Sequence, residues 1–143
     1  MEVHIKLTDL NKVVKSIIRK ATKLKNKQAT VIALRGDLGS GKTTLTQEIA
    51  KSLGVKENII SPTFVIMKNY QLKNKKFEKL VHIDAYRLEK DVELLKLGWD
   101  EIITDPKTII ILEWPEKVPG CIPKNTIFVD LYHKDHQTRT IKL

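Results

Sequence analysis

The chain has 143 residues, 41% hydrophobic and 30% charged, an ordinary globular composition that excludes wholesale disorder and supplies enough apolar mass for a core. Its aliphatic runs, 31–34 and 109–112, are far shorter than the roughly 20 residues that span a bilayer. No basic-then-apolar leader opens the chain and Cys121 is the only cysteine, so we expect a cytoplasmic single domain over 1–143, without an internal disulfide and without a membrane partner.

From Asp9 onward, Leu10, Val13, Val14, Ile17, Ile18, Ala21 and Leu24 recur at helical spacing with basic residues between them, predicting an amphipathic helix capped by Thr8 or Asp9. Residues 29–34 are a short apolar run before a glycine, the pattern of a strand buried on both faces of a parallel sheet. A glycine-rich turn follows, then a helix over 44–53 closed by Gly54. Residues 64–72 and 77–84 are β-prone and joined by Lys73-Asn74-Lys75-Lys76, which predicts a hairpin. Helical spacing returns over 92–103, a second buried strand is predicted over 108–114, and 126–132 with 138–143 alternate around a polar turn as an antiparallel pair. The order predicts an α/β fold: a three-layer α/β/α arrangement with a mainly parallel central sheet and antiparallel additions.

Gly36-Asp-Leu-Gly-Ser-Gly-Lys42-Thr43 fits the spacing G-x-x-x-x-G-K-[ST], directly after a predicted buried strand and before a predicted helix. Glycine at these positions lets the backbone turn tightly and aim N–H groups at a polyphosphate. Lys42 is placed to charge-pair with the β- and γ-phosphates of ATP, and the Thr43 hydroxyl to meet Mg2+. Asp84 and Glu113 each end a hydrophobic strand, where a P-loop protein holds the carboxylate for that magnesium; spacing leaves open which of them is on the metal. Thr63, in Ser61-Pro62-Thr63, either offers its hydroxyl to metal or phosphate or simply follows a Pro-fixed turn. His82 shares a strand face with Asp84 and is a candidate to orient it. Arg87 and Arg139 are candidates for nucleotide or transition-state contact, Trp99 and Trp114 read as packing residues, and Cys121 as an inert loop or strand residue. The net charge of +9 gathers in 6–27, with eight Lys/Arg against Asp9, and in 68–79, with five lysines against Glu78. Lacking interleaved aromatics, these stretches read as solvated faces.

Gly36 to Thr44, Ser61-Pro-Thr-Phe64, His82-Ile-Asp-Ala-Tyr-Arg87, Leu97-Gly-Trp-Asp-Glu101 and Leu112-Glu-Trp-Pro-Glu116, in this order, resemble the bacterial TsaE (YjeE) family from the first helix to the final strand. The resemblance implies an ATPase that partners the TsaB–TsaD heterodimer, which completes threonylcarbamoyl transfer to the adenosine beside the tRNA anticodon, with tRNA met indirectly through that complex. It further implies that Leu38, Gly39, Ser40, Gly41, Lys42, Thr43 and Thr44 bind the phosphates and that Thr43 with Glu113 holds Mg2+. Asp84 then orients the attacking water, Ser61-Pro62-Thr63 is a switch, and Arg139 contacts the nucleotide, which makes Lys42, Asp84 and Thr63 the catalytic set. Glu48 and Trp99 depart from the family pattern, where glycine and an aliphatic residue are usual. A small-molecule P-loop kinase is the alternative that the P-loop alone allows, although no arginine-rich lid is evident. A GTPase lacks its Asn-Lys-x-Asp, and a nucleic-acid binder rests on charge alone.

Overall fold

The computed structural model describes residues 2–59 and 66–143. Its strands are β1 (Glu2–Lys6), β2 (Thr30–Arg35), β3 (Met67–Gln71), β4 (Lys79–Asp84), β5 (Thr108–Glu113), β6 (Ile127–His133) and β7 (Thr138–Lys142). Its helices are α1 (Asn11–Lys23), α2 (Lys42–Ser52), α3 (Asp91–Lys96) and α4 (Trp99–Ile103), with short 3-10 turns at Leu7–Asp9, Pro115–Lys117 and Pro119–Cys121.

The two unbroken apolar runs become the middle of the sheet. Every residue of β5, and all of β2 except Arg35, is buried, because a central parallel strand is covered on both faces. The seven strands lie in the order β1-β7-β6-β2-β5-β4-β3. β6, β2, β5 and β4 run parallel, while β3 and β7 pair antiparallel with their neighbours. Strand alternation divides the core in two. Ile32, Leu34, Ile109 and Ile111 face α1 and α2, where Val13, Ile17, Leu45 and Ile49 complete one apolar cluster. Val31, Val81, Ile83, Ile110 and Leu112 face α3 and α4, where Leu94, Trp99 and Ile103 complete the other. This is the three-layer α/β/α arrangement, and each fully buried aliphatic side chain in it contributes about 1.5–3 kcal/mol.

Several local expectations are revised. β1 has no forecast of its own, although Glu2-Val-His-Ile-Lys6 alternates polar and apolar residues; the strand is anchored by Ile5, which is buried, and by pairing with β7, Glu2 opposite Lys142 and Lys6 opposite Thr138. α1 begins after a 3-10 turn with Leu10 at its N-cap and no side-chain cap, so neither Thr8 nor Asp9 serves that purpose. The helix expected over 92–103 is broken by Gly98, whose φ of 91° no α-helix accommodates, into α3 and α4. The hairpin of β3 and β4 forms as the turn residues require: the Asn74 carboxamide oxygen accepts Lys76 N at 2.9 Å and Phe77 N at 3.2 Å. Beyond it, Lys76 Nζ donates to the carbonyls of Ala21, Thr22 and Leu24, the open C-terminal end of α1. Cys121 sits in a 3-10 turn with its thiol pushed above the usual range, first by burial and then by Asp91, which suits an unreactive role. Among the described residues no helix is long and apolar enough to cross a membrane.

Candidate active site

β2 is the hinge of the topology: β5 lies on one side of it and β6 on the other. The loop 36–41 leaves its carboxyl end there and enters α2, the place where open α/β sheets form a crevice. Two glycines are demanded by the path. At Gly36 (φ 152°) a Cβ would lie 2.5 Å from the Leu131 carbonyl oxygen and 2.7 Å from Ser40 Oγ. At Gly41, φ 103° and ψ 14° turn the chain left-handed immediately before the helix, a conformation costing an ordinary L-residue about 1–2 kcal/mol. The Asp37 carbonyl accepts Ser40 N at 3.1 Å and closes the turn.

Lys42, the first residue of α2, is buried. Its ammonium donates to the Gly36 carbonyl and, at 3.0 Å, to that of Asp37, and lies 4.3 Å from the centre of the Trp114 ring. Loss of water holds it below the ordinary lysine value, against the opposing pull of Glu113 and Asp84. Those two carboxylates are register partners at the ends of parallel strands β4 and β5, both buried. Asp84 is pushed above the usual carboxylate range, chiefly by burial and also by the Glu113 charge, while a 3.0 Å hydrogen bond from Tyr86 N opposes the shift. Glu113 Oε2 lies 2.7 Å from Nε2 of His82, which is fully buried. The histidine expected to orient Asp84 therefore engages the neighbouring carboxylate instead, because its ring reaches across to β5 rather than along β4.

Arg139, on β7, reaches the loop from the other side. Nε donates to Ser40 O at 3.0 Å, Nη2 to Gly39 O at 3.1 Å, and Nη1 to Asp135 O and Thr138 O. Four of its N–H groups are thus spent on carbonyls, and it fastens the loop to β7. Leu38, Gly39, Gly41, Lys42, Thr43, Thr44, Asp84, Glu113 and Arg139 border one cleft of about 500 Å³ together with Tyr86 and Trp114, whose ring centres lie 5.0 Å apart. Ser40 is buried behind the loop. Thr63 and its Ser-Pro-Thr segment lie outside the described residues.

Trp114, expected to pack, does pack against the second core cluster but also borders the cleft and covers Lys42, whereas Trp99 lies wholly within that core, 3% exposed. Tyr86 carried no assigned role. The signal for both was position: each follows within two residues of a strand-ending acid. A wider hollow of about 730 Å³ runs beside the far half of α2. It is lined by no buried charged side chain, so chemistry favours the smaller cleft.

The family described as threonylcarbamoyl adenosine biosynthesis protein TsaE matches residues 8–141. A protein named tRNA threonylcarbamoyladenosine biosynthesis protein TsaE from Haemophilus influenzae is 37% identical over 85% of this chain and 73% of its own length. Those of that name from Nostoc sp. and Bacillus subtilis are 38% and 34% identical, over 80% and 87% of this chain and 69% and 75% of theirs. The crystal structure of Bacillus subtilis YdiB superposes with a TM-score of 0.73 over 99% of this chain and 82% of that one; at 24% identity it shows the same fold. With the match spanning nearly the whole chain, this protein belongs to the TsaE family of threonylcarbamoyl adenosine biosynthesis proteins.

Proposed function

We propose that this chain binds and hydrolyses ATP with Mg2+, as the nucleotide-driven component of tRNA N6-threonylcarbamoyladenosine synthesis, acting with the TsaB–TsaD heterodimer and meeting tRNA within that complex. One observation carries the reading: a glycine-turned loop with a buried lysine faces, across a single cleft, two buried carboxylates set side by side at neighbouring strand ends.

The donor set suits magnesium. Hydroxyl and carboxylate oxygens of Thr43, Glu113 and Asp84 border the cleft, and burial, with the Glu113 charge beside it, raises Asp84, a strain that a divalent cation would relieve. No cluster of three or more His, Cys, Asp or Glu poised to hold a metal occurs among the described residues. A magnesium ion would reach such a site on the nucleotide phosphates. Thr43 and Glu113 would hold it, and His82 would fix the Glu113 carboxylate as an outer partner. When bound, Mg2+ would supply positive charge that offsets the phosphates.

The residues divide the remaining work. Lys42 exchanges its two loop carbonyls for phosphate oxygens, a trade made favourable by the anion's charge. Loop amides and the start of α2 stabilise the charge that gathers on the phosphates. Asp84 orients a water for in-line attack on the γ-phosphorus; the bond to the β-bridging oxygen breaks and ADP and phosphate leave. Arg139 keeps the loop in its receiving shape. Arg139→Ala is expected to weaken Mg·ATP binding about ten-fold or more, as loss of charge-assisted hydrogen bonds worth about 1.5–3 kcal/mol lets the loop relax. Calorimetric titration checks this, and binding unchanged in a folded variant would remove the positioning role.

The proposal is tested by measuring phosphate release from ATP with and without TsaB–TsaD and tRNA. Slow turnover alone and faster turnover with the partners is the expected result. No phosphate release from folded protein in either condition would overturn the ATPase reading.

A further inference from the structure

The four parallel strands all begin at one end of the sheet, and the candidate cleft lies at the other. The segments that lead into those beginnings carry a disproportionate share of the lysines. Lys23, Lys25 and Lys27 precede β2, Lys73, Lys75 and Lys76 precede β4, Lys107 precedes β5 and Lys124 precedes β6; all but Lys76 are exposed. Tertiary contacts tie these segments together. Lys76 binds the end of α1, Asn125 Nδ2 donates to Asn26 Oδ1, and Glu78 N donates to Lys107 O at 2.8 Å.

Against these eight lysines the same segments hold two carboxylates, Glu78 and Asp105, a surplus of six within the chain's net +9. Both acids are engaged: Glu78 lies 3.1 Å from Lys107 Nζ, and Asp105 accepts Lys107 N and Thr108 Oγ1. Asp100 and Glu101 of α4 are on the face of the sheet opposite α1, whereas Lys23, Lys25, Lys73 and Lys75 adjoin the α1 face. The 23–27 end of one basic stretch and the 73–76 turn of the other, each expected to be a solvated face, thus converge into one patch. It does not serve to steer nucleotide: a six-residue strand is about 20 Å long, more than twice the roughly 8 Å screening length of physiological salt.

We infer that this end of the sheet docks on the phosphate backbone of a structured RNA, at a surface separate from the nucleotide cleft. Apart from Lys107, paired with Glu78, and Lys76, bound to the end of α1, six exposed ammonium groups remain, and phosphate is their matching chemistry. Phe77 and Leu72 beside the patch are buried, Leu24 within it is partly buried against the core, and none of the exposed large hydrophobics belongs to these segments. The surface therefore offers neither a platform for stacked bases nor a wedge for lipid. A tRNA stem is the probe that the family's process supplies.

The test is fluorescence anisotropy of labelled tRNA with the full chain, without nucleotide, across about 50–200 mM salt. Combining Lys25→Ala, Lys73→Ala and Lys75→Ala is expected to weaken binding about ten-fold or more and to flatten the log–log salt dependence by about 2–3. A control of equal charge loss, Lys6→Ala with Lys96→Ala and Lys134→Ala, all exposed and away from the patch, is expected to change affinity by less than about three-fold. The corresponding triple Lys→Arg protein should bind as the parent does, separating lost charge from lost fold. Lys42→Ala should also bind tRNA normally, so failure of the ATPase reading leaves this result untouched. Equal weakening by both alanine triples would overturn the inference. So would absence of tRNA binding at the lowest salt, or binding to phosphatidylserine vesicles in place of tRNA.

Discussion

Lys42→Ala is expected to leave no measurable ATP turnover and to weaken Mg·ATP binding by about a hundred-fold or more. Three effects combine. The variant loses charge-assisted hydrogen bonds to phosphate, each worth about 1.5–3 kcal/mol. It also leaves Asp84 and Glu113 facing the cleft without the ammonium that now offsets them, so an incoming polyanion meets a more negative site. Finally, the Gly36 and Asp37 carbonyls lose their shared donor, and the loop loses an internal tie. Calorimetry and phosphate release measured on the same folded sample check both numbers. Turnover at the parent rate would show that this loop is not the site of hydrolysis.

Asp84→Asn is expected to separate chemistry from binding and to raise stability. Removing the group that orients the attacking water should lower kcat by about 10²–10⁴, while Lys42, the loop and Glu113 keep nucleotide affinity within a few-fold. The stability effect follows from the sign of the shift. Burial and the Glu113 charge raise the Asp84 carboxyl above its ordinary value. Its contribution to folding is therefore full below that ordinary value, where it is protonated, and is lost as pH climbs through the raised one. At neutral pH the folded protein holds a carboxylate it disfavours. Asparagine keeps an oxygen for Tyr86 N and carries no charge, so a gain of roughly 0.5–2 kcal/mol is expected at pH 7, fading as the pH falls to that of an ordinary carboxyl. Denaturant melts at neutral and acid pH give this number directly. For the same reason the acid limb of kcat/KM, which reports the free protein, should lie above the usual carboxylate range. A variant with parent kcat and parent stability would leave Asp84 no special part in the site.

Gly36, Gly41, Lys42 and Thr43 were legible because their chemistry is local: a fixed spacing between a strand and a helix defines the loop before any long-range contact forms. Asp84 and Glu113 were legible for a related reason, since each ends an apolar run of strand length. Choosing between them was not. They are register neighbours, and the feature that sets them apart, the His82 hydrogen bond to Glu113, joins residues 31 apart in sequence. Arg139 is a similar case. A lone arginine near the chain's end gives no hint of holding carbonyls about a hundred residues earlier, and only the β7 pairing brings it to Gly39 and Ser40. Trp114 is harder still: its φ of 60° turns the chain out of β5 and swings the ring over Lys42.

The layer order, the two buried central strands, the phosphate-type loop and its two candidate carboxylates are readable from the chain alone, because hydrophobic periodicity and glycine placement act over a few residues. Tertiary structure alone decided which carboxylate the histidine holds, what fastens the loop, how Glu2–Lys6 joins the sheet and where the lysines gather. Each of these depends on strand register and chain reversal, which bring distant residues within hydrogen-bond or Coulomb range only once the sheet has formed.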